Sequence, residues 1–482
     1  MRRAKILATL GPASNTPEII ERLINAGLNA VRINMSHGTH AEHAAVIETA
    51  RAAAKRLDKP LAVLVDLSGP KIRTGLLQNA TPVLLEDGAE FTITSRDIEG
   101  NLSQVSTNFK DLPKLVKKGA RILLDDGAIE LKVKSVTKTD VKTTVVNGGL
   151  LAERKGINLP NTTLPIPSLT AKDRVDLEWA MTQNIDYIAL SFVRKAEDCL
   201  EVKEIIKKLN RRELGRPLLV AKIEKAEAIE NLDSIIDATD GVMVARGDLG
   251  VETSVELVPV YQKQIIEKSV IKDKFVITAT QMLQSMILEP RPTRAEASDV
   301  ANAVWDGTDA VMLSAETASG KYPVEAVETM ARIINAAETV KTTKLKRPVK
   351  LTEEPTGRTS QALCKAAAFC AREKLTDKVA VFTESGLMAR RLSSIRSGLQ
   401  TFALTNSDDV RNQLALIWGV EPFCHEKTET SEAILKDGEK TLLKAGVVAE
   451  SETIVMMAGR LSGLGLSSSV IVWTIGENIP LR

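Results

Sequence analysis

The run Leu218-Leu219-Val220-Ala221-Lys222-Ile223-Glu224 and, further along, Gly241-Val242-Met243-Val244-Ala245-Arg246 share one form: a short, unbroken apolar stretch that stops in charge. A strand that alternates polar and apolar residues has one wet face. An unbroken run is buried on both, as in a parallel sheet covered by helices. Six more such runs lie to either side: Ile6–Leu10, Ala30–Asn34, Leu61–Asp66, Tyr187–Ser191, Phe275–Thr280 and Ala310–Ser314. Helix-period segments separate them, among them Pro17–Ala26, Glu42–Leu57, Ala171–Gln183, Asp198–Leu209, Pro259–Ile271, Thr293–Trp305 and Pro323–Val340. Eight strands with intervening helices predict an α/β chain built on a closed (β/α)8 TIM barrel.

Most of the runs finish in charged or hydroxyl residues: Arg32 and Asn34, Asp66, Ser191, Lys222 and Glu224, Arg246 and Asp248, Thr278 and Thr280, Ser314 and Glu316. In a closed barrel those ends crowd onto the C-terminal mouth, where active sites of this fold are built. The connection after Leu67-Ser68-Gly69-Pro70 is too long for a simple barrel. It reads as short alternating strands (Phe91–Thr94, Arg121–Leu124, Ile129–Val136, Val141–Val146) broken by turns such as Asp125-Asp126-Gly127. A small inserted β-barrel domain after strand 3, placed to close over the mouth as a lid, is the expectation. A charged stretch from Lys341 to Thr356 reads as a linker. Beyond it a helix at Ser360–Lys374 and strands Val379–Phe382, Thr401–Leu404, Val420–Phe423, Thr453–Met457 and Val470–Thr474 predict an open-sheet α/β domain. The expected divisions are 1–69 with 167–340 for the barrel, 70–166 for the lid and 357–482 for the C-terminal domain.

The totals agree with a multidomain globular chain of 482 residues. Sixty-four Lys and Arg face 62 Asp and Glu, so no global field draws nucleic acid or an anionic membrane, and 3% aromatics leave few platforms for stacking bases. The apolar run after Met1-Arg2-Arg3 is broken by Gly11-Pro12, too soon for a secretory leader, and no apolar stretch is long enough to span a bilayer. A cytoplasmic location is expected. The four cysteines, Cys199, Cys364, Cys370 and Cys424, are far apart with no CxxC and read as buried, reduced thiols.

Lys222 and Glu224 are two apart in a strand, so both point to one side. Asp248, after the next strand, adds a second carboxylate beside glycines that let backbone approach a ligand. Two carboxylates suit Mg²⁺ or Mn²⁺ completed by substrate oxygens and water. Four histidines, three within His37–His43, argue against a zinc site. Arg32 and Arg73 facing such a pair, with Lys222, form an anion site suited to phosphoryl transfer. In the C-terminal domain, Phe382-Thr383-Glu384-Ser385-Gly386 runs from a strand into a hydroxyl- and glycine-containing turn that opens a helix, a setting for phosphate. Gly459–Gly465 is a loop placed to close over it.

These blocks, together with Arg32–Gly38, Ala279-Thr280-Gln281-Met282-Leu283, Pro290–Glu296 and Met312–Thr317, closely resemble the pyruvate kinase family, in the family's order. The resemblance implies transfer of the phosphoryl group of phosphoenolpyruvate to ADP, giving pyruvate and ATP. It implies that Arg32 holds the substrate phosphate, that Glu224 and Asp248 bind Mg²⁺, and that Gly247, Asp248 and Thr280 hold the substrate carboxylate. Lys222 would stabilise the moving phosphoryl group, Arg73 and Lys155 would contact the nucleotide phosphates, and Asn34 and His37 would lie near the nucleotide. The region of Thr280 would return a proton to the enolate. A homotetramer and a phosphorylated activator bound near Thr383, Ser385 and Gly386 are also implied. One departure stands out. The family's K⁺ positions match Asn34, Ser36, Asp66 and Leu67, the last usually Thr, and Lys71 stands where a Glu is usual. K⁺ is therefore expected to be replaced by Lys71. The alternatives are a Mg²⁺-dependent carbon–carbon lyase or aldolase acting on pyruvate-like enolates, and a catalytically silent metabolite sensor.

Overall fold

All eight apolar runs are strands of one closed parallel barrel. In this computed structural model, which describes residues 2–160, 162, 165–340, 355–373, 376–426, 430–458 and 469–477, they span Lys5–Thr9, Ala30–Asn34, Ala62–Asp66, Tyr187–Leu190, Leu218–Ile223, Gly241–Ala245, Phe275–Ala279 and Ala310–Leu313. Each pairs with its sequence neighbours, and the last closes on the first through Lys5↔Ala310. Seven are buried at every residue. The exception, the second, leaves Arg32 and Asn34 half-buried. Most strands stop one residue short of the apolar run, because that last polar residue leaves the ladder to start a loop or helix. Arg246 opens the helix Arg246–Glu252. Thr280 takes φ +69°.

Capping fixes where the outer helices begin. Thr39 with Glu42, Thr170 with Asp173 and Thr293 with Glu296 form reciprocal capping boxes. Glu296 also accepts from the Ser285 amide at 2.7 Å and hydroxyl at 2.5 Å, so part of the Pro290–Glu296 block is scaffold. The short helices Ala226–Glu230 and Leu232–Ala238 fill the fifth crossover.

The insertion is hydrogen-bonded as a six-stranded sheet and a two-stranded ribbon, Val83–Leu85 with Gly149–Leu151, rather than as one closed cylinder. Both wrap a core that includes Phe91, Ile93, Ile122, Leu131 and Val141. The C-terminal domain is a five-stranded sheet whose strands Lys378–Phe382, Gln400–Thr405, Val420–Cys424 and Thr453–Ala458 run parallel, with Ser469–Thr474 antiparallel at one edge. Its first helix starts at Pro355, earlier than expected. The rest of the expected linker, and the loop 459–465, lie outside the described residues. Cys199 and Cys364 are buried, but Cys370 is half-buried and Cys424 exposed, against expectation. Cys424 ends an edge strand, which only one neighbouring strand covers.

This domain sits against the N-terminal ends of the barrel strands. Lys5 Nζ donates to the Val420 carbonyl (2.7 Å), Tyr187 Oη to that of Gln413 (2.5 Å), and Arg396 pairs with Asp309 (2.8 Å). One apolar cluster runs unbroken from Leu7, Leu64, Tyr187 and Phe275 inside the barrel to Leu414, Ile417 and Val420. The floor of the barrel is thus completed by another domain, and the mouth stays open to the lid.

Candidate active site

The mouth is organised around a buried cation. Lys222 Nζ lies 2.9 Å from Glu224 Oε1 and 3.3 Å from Asp66 Oδ1, and donates to Ser191 Oγ at 2.8 Å. Ser191 in turn donates to the Leu67 carbonyl (2.7 Å). Burial works against the Lys222 ammonium, but Asp66 and Glu224 outweigh it and raise its pKa above the ordinary lysine value. The converse holds for Asp66, where burial is overcome by Lys222 and Arg32 and the pKa is lowered. Arg32 grips Asp66 Oδ2 through Nε and a terminal nitrogen, each at 2.7 Å, and donates to Thr9 Oγ1 at 3.1 Å. Its guanidinium is therefore fixed before any anion arrives.

Glu224 accepts the Phe192 amide on its second oxygen (2.7 Å). Asp248, beyond the neighbouring strand, is half-buried, and its carboxyl is pushed up to about 6 by burial and then by the charge of Glu224. Two carboxylates that repel each other at one rim fit a hard divalent cation, whose charge relieves the repulsion. Glu224 and Asp248 are the two carboxylates there that could hold one.

At the seventh strand, Thr280 and Gln281 are consecutive non-glycine residues at φ +69° and +53°. Thr280 Oγ1 donates to the Ala279 carbonyl (2.6 Å) and accepts from the Gly247 amide (2.8 Å). The strained pair is held from behind by Arg246, which donates to the Thr280 and Gln281 carbonyls (2.7 and 3.3 Å) and pairs with Asp299 (2.7 Å). Arg246 was expected at the mouth; it instead points outward, between strand ends and outer helices. Thr278 bonds Thr308 inside the barrel wall (2.9 Å), and Glu316 accepts the Leu283 and Ser314 amides. Both are structural. Conversely, Thr9 was overlooked in the sequence. Its only signal is a hydroxyl at a strand end.

Facing the mouth is a cleft of about 260 Å³, lined from the lid by Lys71, Arg73 and Lys155 and from the barrel by Asp248, Phe192 and Lys225. Lys155 pairs with Asp125 at 2.9 Å. The exposed His37 has its pKa lowered by burial and then by Arg73, Lys71 and Arg32, so these four share one neighbourhood. Lys71 is exposed as a residue, yet its pKa is lowered by burial of the charged group and then by Lys222. Among the K⁺ positions, the Asn34 side-chain oxygen accepts the Ser36 amide (3.2 Å), while Asp66 and the Leu67 carbonyl are engaged as above. Ser36 Oγ is buried with no partner among the described residues. Thr383, Ser385 and Gly386 share one strand-to-helix turn in the other domain, with Gly386 at φ +73°. They are not part of the mouth.

Residues 1–327 match the family described as pyruvate kinase, barrel domain, and residues 361–472 that described as pyruvate kinase, alpha/beta domain. The chain is 41% identical over 486 residues to the pyruvate kinase of Staphylococcus epidermidis RP62A, covering 99% of this chain and 81% of that protein. The pyruvate kinase of Staphylococcus aureus MRSA252 matches at 41% over the same shares. A crystal structure of a pyruvate kinase from Cryptosporidium parvum superimposes with a TM-score of 0.88 at 34% identity, covering 98% of this chain and 96% of that one. A lyase or aldolase finds no support in these matches.

Proposed function

The chain belongs to the pyruvate kinase family and carries out its reaction, the closing step of glycolysis, and from that premise we propose how the barrel mouth performs it. The observation that carries the assignment is the buried Lys222–Glu224–Asp66–Arg32 cluster, facing Asp248 beneath a lid cleft that holds Arg73 and Lys155. Arg32 binds the phosphate of phosphoenolpyruvate. Thr280 and the Gly247–Asp248 backbone bind its carboxylate, with the Gly247–Thr280 hydrogen bond opening to admit it. Arg73 and Lys155 hold the phosphates of ADP, beside Asn34 and His37. A β-phosphate oxygen of ADP attacks phosphorus and the bond to the enol oxygen breaks. The enolate then takes a proton at its methylene carbon from water held near Thr280, giving pyruvate. Lys222 opposes the charge spread over the moving group. Glu224 and Asp248 would hold Mg²⁺ or Mn²⁺, which would supply further charge neutralisation during transfer.

K⁺ is not required in this reading, because donors of the protein already engage Asp66, Leu67 and Asn34 and Lys71 brings a fixed positive charge. The working units are 1–69 with 167–340 for catalysis, 70–166 as lid and 357–482 for regulation by a phosphorylated metabolite at Thr383, Ser385 and Gly386. The chain acts as a cytoplasmic homotetramer; among the described residues no helix is long and apolar enough to cross a membrane. The deciding experiment is a coupled assay of purified protein. ATP formed from phosphoenolpyruvate and ADP supports the reading; no ATP, with cleavage of a pyruvate-derived substrate, overturns it.

A further inference from the structure

Directly after Glu224 comes a second buried lysine with no part in the reaction described above. Lys225 Nζ lies 2.7 Å from Glu252 Oε1, with both side chains under a tenth exposed. Asn158, from the last strand of the lid sheet, donates to the same Glu252 oxygen at 2.9 Å. On its other side the Lys225 ammonium stands 5.5 Å from the centre of the Phe192 ring. Phe192 is itself constrained: it takes φ +57°, and its amide donates to Glu224 Oε2 (2.7 Å). Its ring also lies on Gly69, the hinge glycine that leads into the lid at φ +66°, where a Cβ would come within 2.5 Å of the ring.

A buried ion pair is a weak source of stability, since an apolar pair of similar volume often does as well. This one joins two things that must be coordinated, the lid and a metal-ligand carboxylate. We propose that Lys225 and Glu252 form a latch of positioning residues: through Asn158 they engage the lid, and through Phe192 they fix Glu224. Resting on the reading of Glu224 as a divalent-cation ligand, the latch gives lid closure and cation binding a common set of contacts, so that each favours the other.

Mn²⁺ alone serves as the probe, with free ion measured by electron paramagnetic resonance on the full chain. The double variant Lys225→Met/Glu252→Gln removes both charges and keeps an acceptor for Asn158. It is expected to weaken Mn²⁺ binding about tenfold, as loss of supporting contacts around a metal site does, with kcat falling more than the KM for phosphoenolpyruvate rises. Lys225→Arg, which keeps a cation on the ring, should bind Mn²⁺ within about threefold of the parent. Asn158→Ala, which removes only the lid contact, should weaken Mn²⁺ binding less than the double variant does, raise the KM for ADP and speed amide exchange at the lid hinges. Mn²⁺ affinity of the double variant within about twofold of the parent overturns the latch. Should that variant not fold, unchanged affinity in Phe192→Leu overturns it equally. Glu224→Gln separates the two levels: if it retains parental affinity, the ligand assignment fails. If it loses the ion while the double variant does not, only the latch fails.

Discussion

Lys222 is surrounded by acceptors that keep it charged, so it acts as a fixed cation and not as a proton donor. Lys222→Met should therefore lower kcat by at least about a hundredfold, leave phosphoenolpyruvate binding by calorimetry mostly intact, and add no titration limb to the pH profile of the parent. A variant keeping more than about a tenth of the parental rate would contradict that role. Lys71 carries the second prediction. A K⁺ within about 4 Å of its ammonium would meet a repulsion of about 4 kcal/mol at an effective dielectric near 20. Turnover with Mg²⁺ in tetramethylammonium buffer should change less than about tenfold on adding about 100 mM KCl at constant ionic strength. Lys71→Glu, with Leu67→Thr if needed, should create a K⁺ dependence. The convergence of Arg32, Lys222 and Glu224 was legible because residues two apart in a strand share a face. The outward turn of Arg246 was not, since the first residue past a ladder is free to leave either way. Nor was the Lys225–Glu252 pair, whose partners come from different elements.

The turn after the seventh barrel strand stores strain that one side chain restrains. Two consecutive left-handed residues, neither of them glycine, cost on the order of 1–3 kcal/mol each, and the fork of Arg246 holds both carbonyls. Arg246→Lys keeps the charge but loses the fork. It should raise the KM for phosphoenolpyruvate and lower kcat/KM about tenfold while the protein stays folded by circular dichroism; unchanged kinetics would remove Arg246 from substrate positioning. A second turn, between Lys378–Phe382 and the helix Leu387–Ser394, carries the regulatory expectation. A panel of sugar phosphates and nucleoside monophosphates should shift the phosphoenolpyruvate saturation curve, and Thr383→Ala with Ser385→Ala should abolish the shift without changing basal turnover. Flat curves throughout would sink the idea. The barrel strands were visible because a short apolar run closed off by charge suits a strand covered on both faces and little else. Val83–Leu85 and Gln104–Ser106, at three residues each, are too short to show a period.

Across the whole molecule, the C-terminal domain floors the barrel, and Lys5 lies between them with its pKa lowered to about 8, chiefly by burial and then by Arg2. Its value in the unfolded chain is 10.5. Between the two the unfolded chain holds the extra proton, so stability rises with pH in that window, by about 3 kcal/mol for the full shift. Urea midpoints measured from pH 7 to beyond that window should climb more in the parent than in Lys5→Met; parallel profiles would count against it. No sequence pattern announced this docking, because it joins residues as distant as Lys5 and Val420. The shared floor also sets an order of events during synthesis. As the chain leaves the ribosome, the first strand has no closing partner until Ala310–Leu313 emerges. Even then Leu7, Tyr187 and Phe275 face water until the segment ending at Val420 arrives. A nascent barrel is therefore sticky at its base while the stretch from Leu313 to Val420 is made, roughly a fifth of the chain's translation, which is the interval in which a chaperone has most to hold.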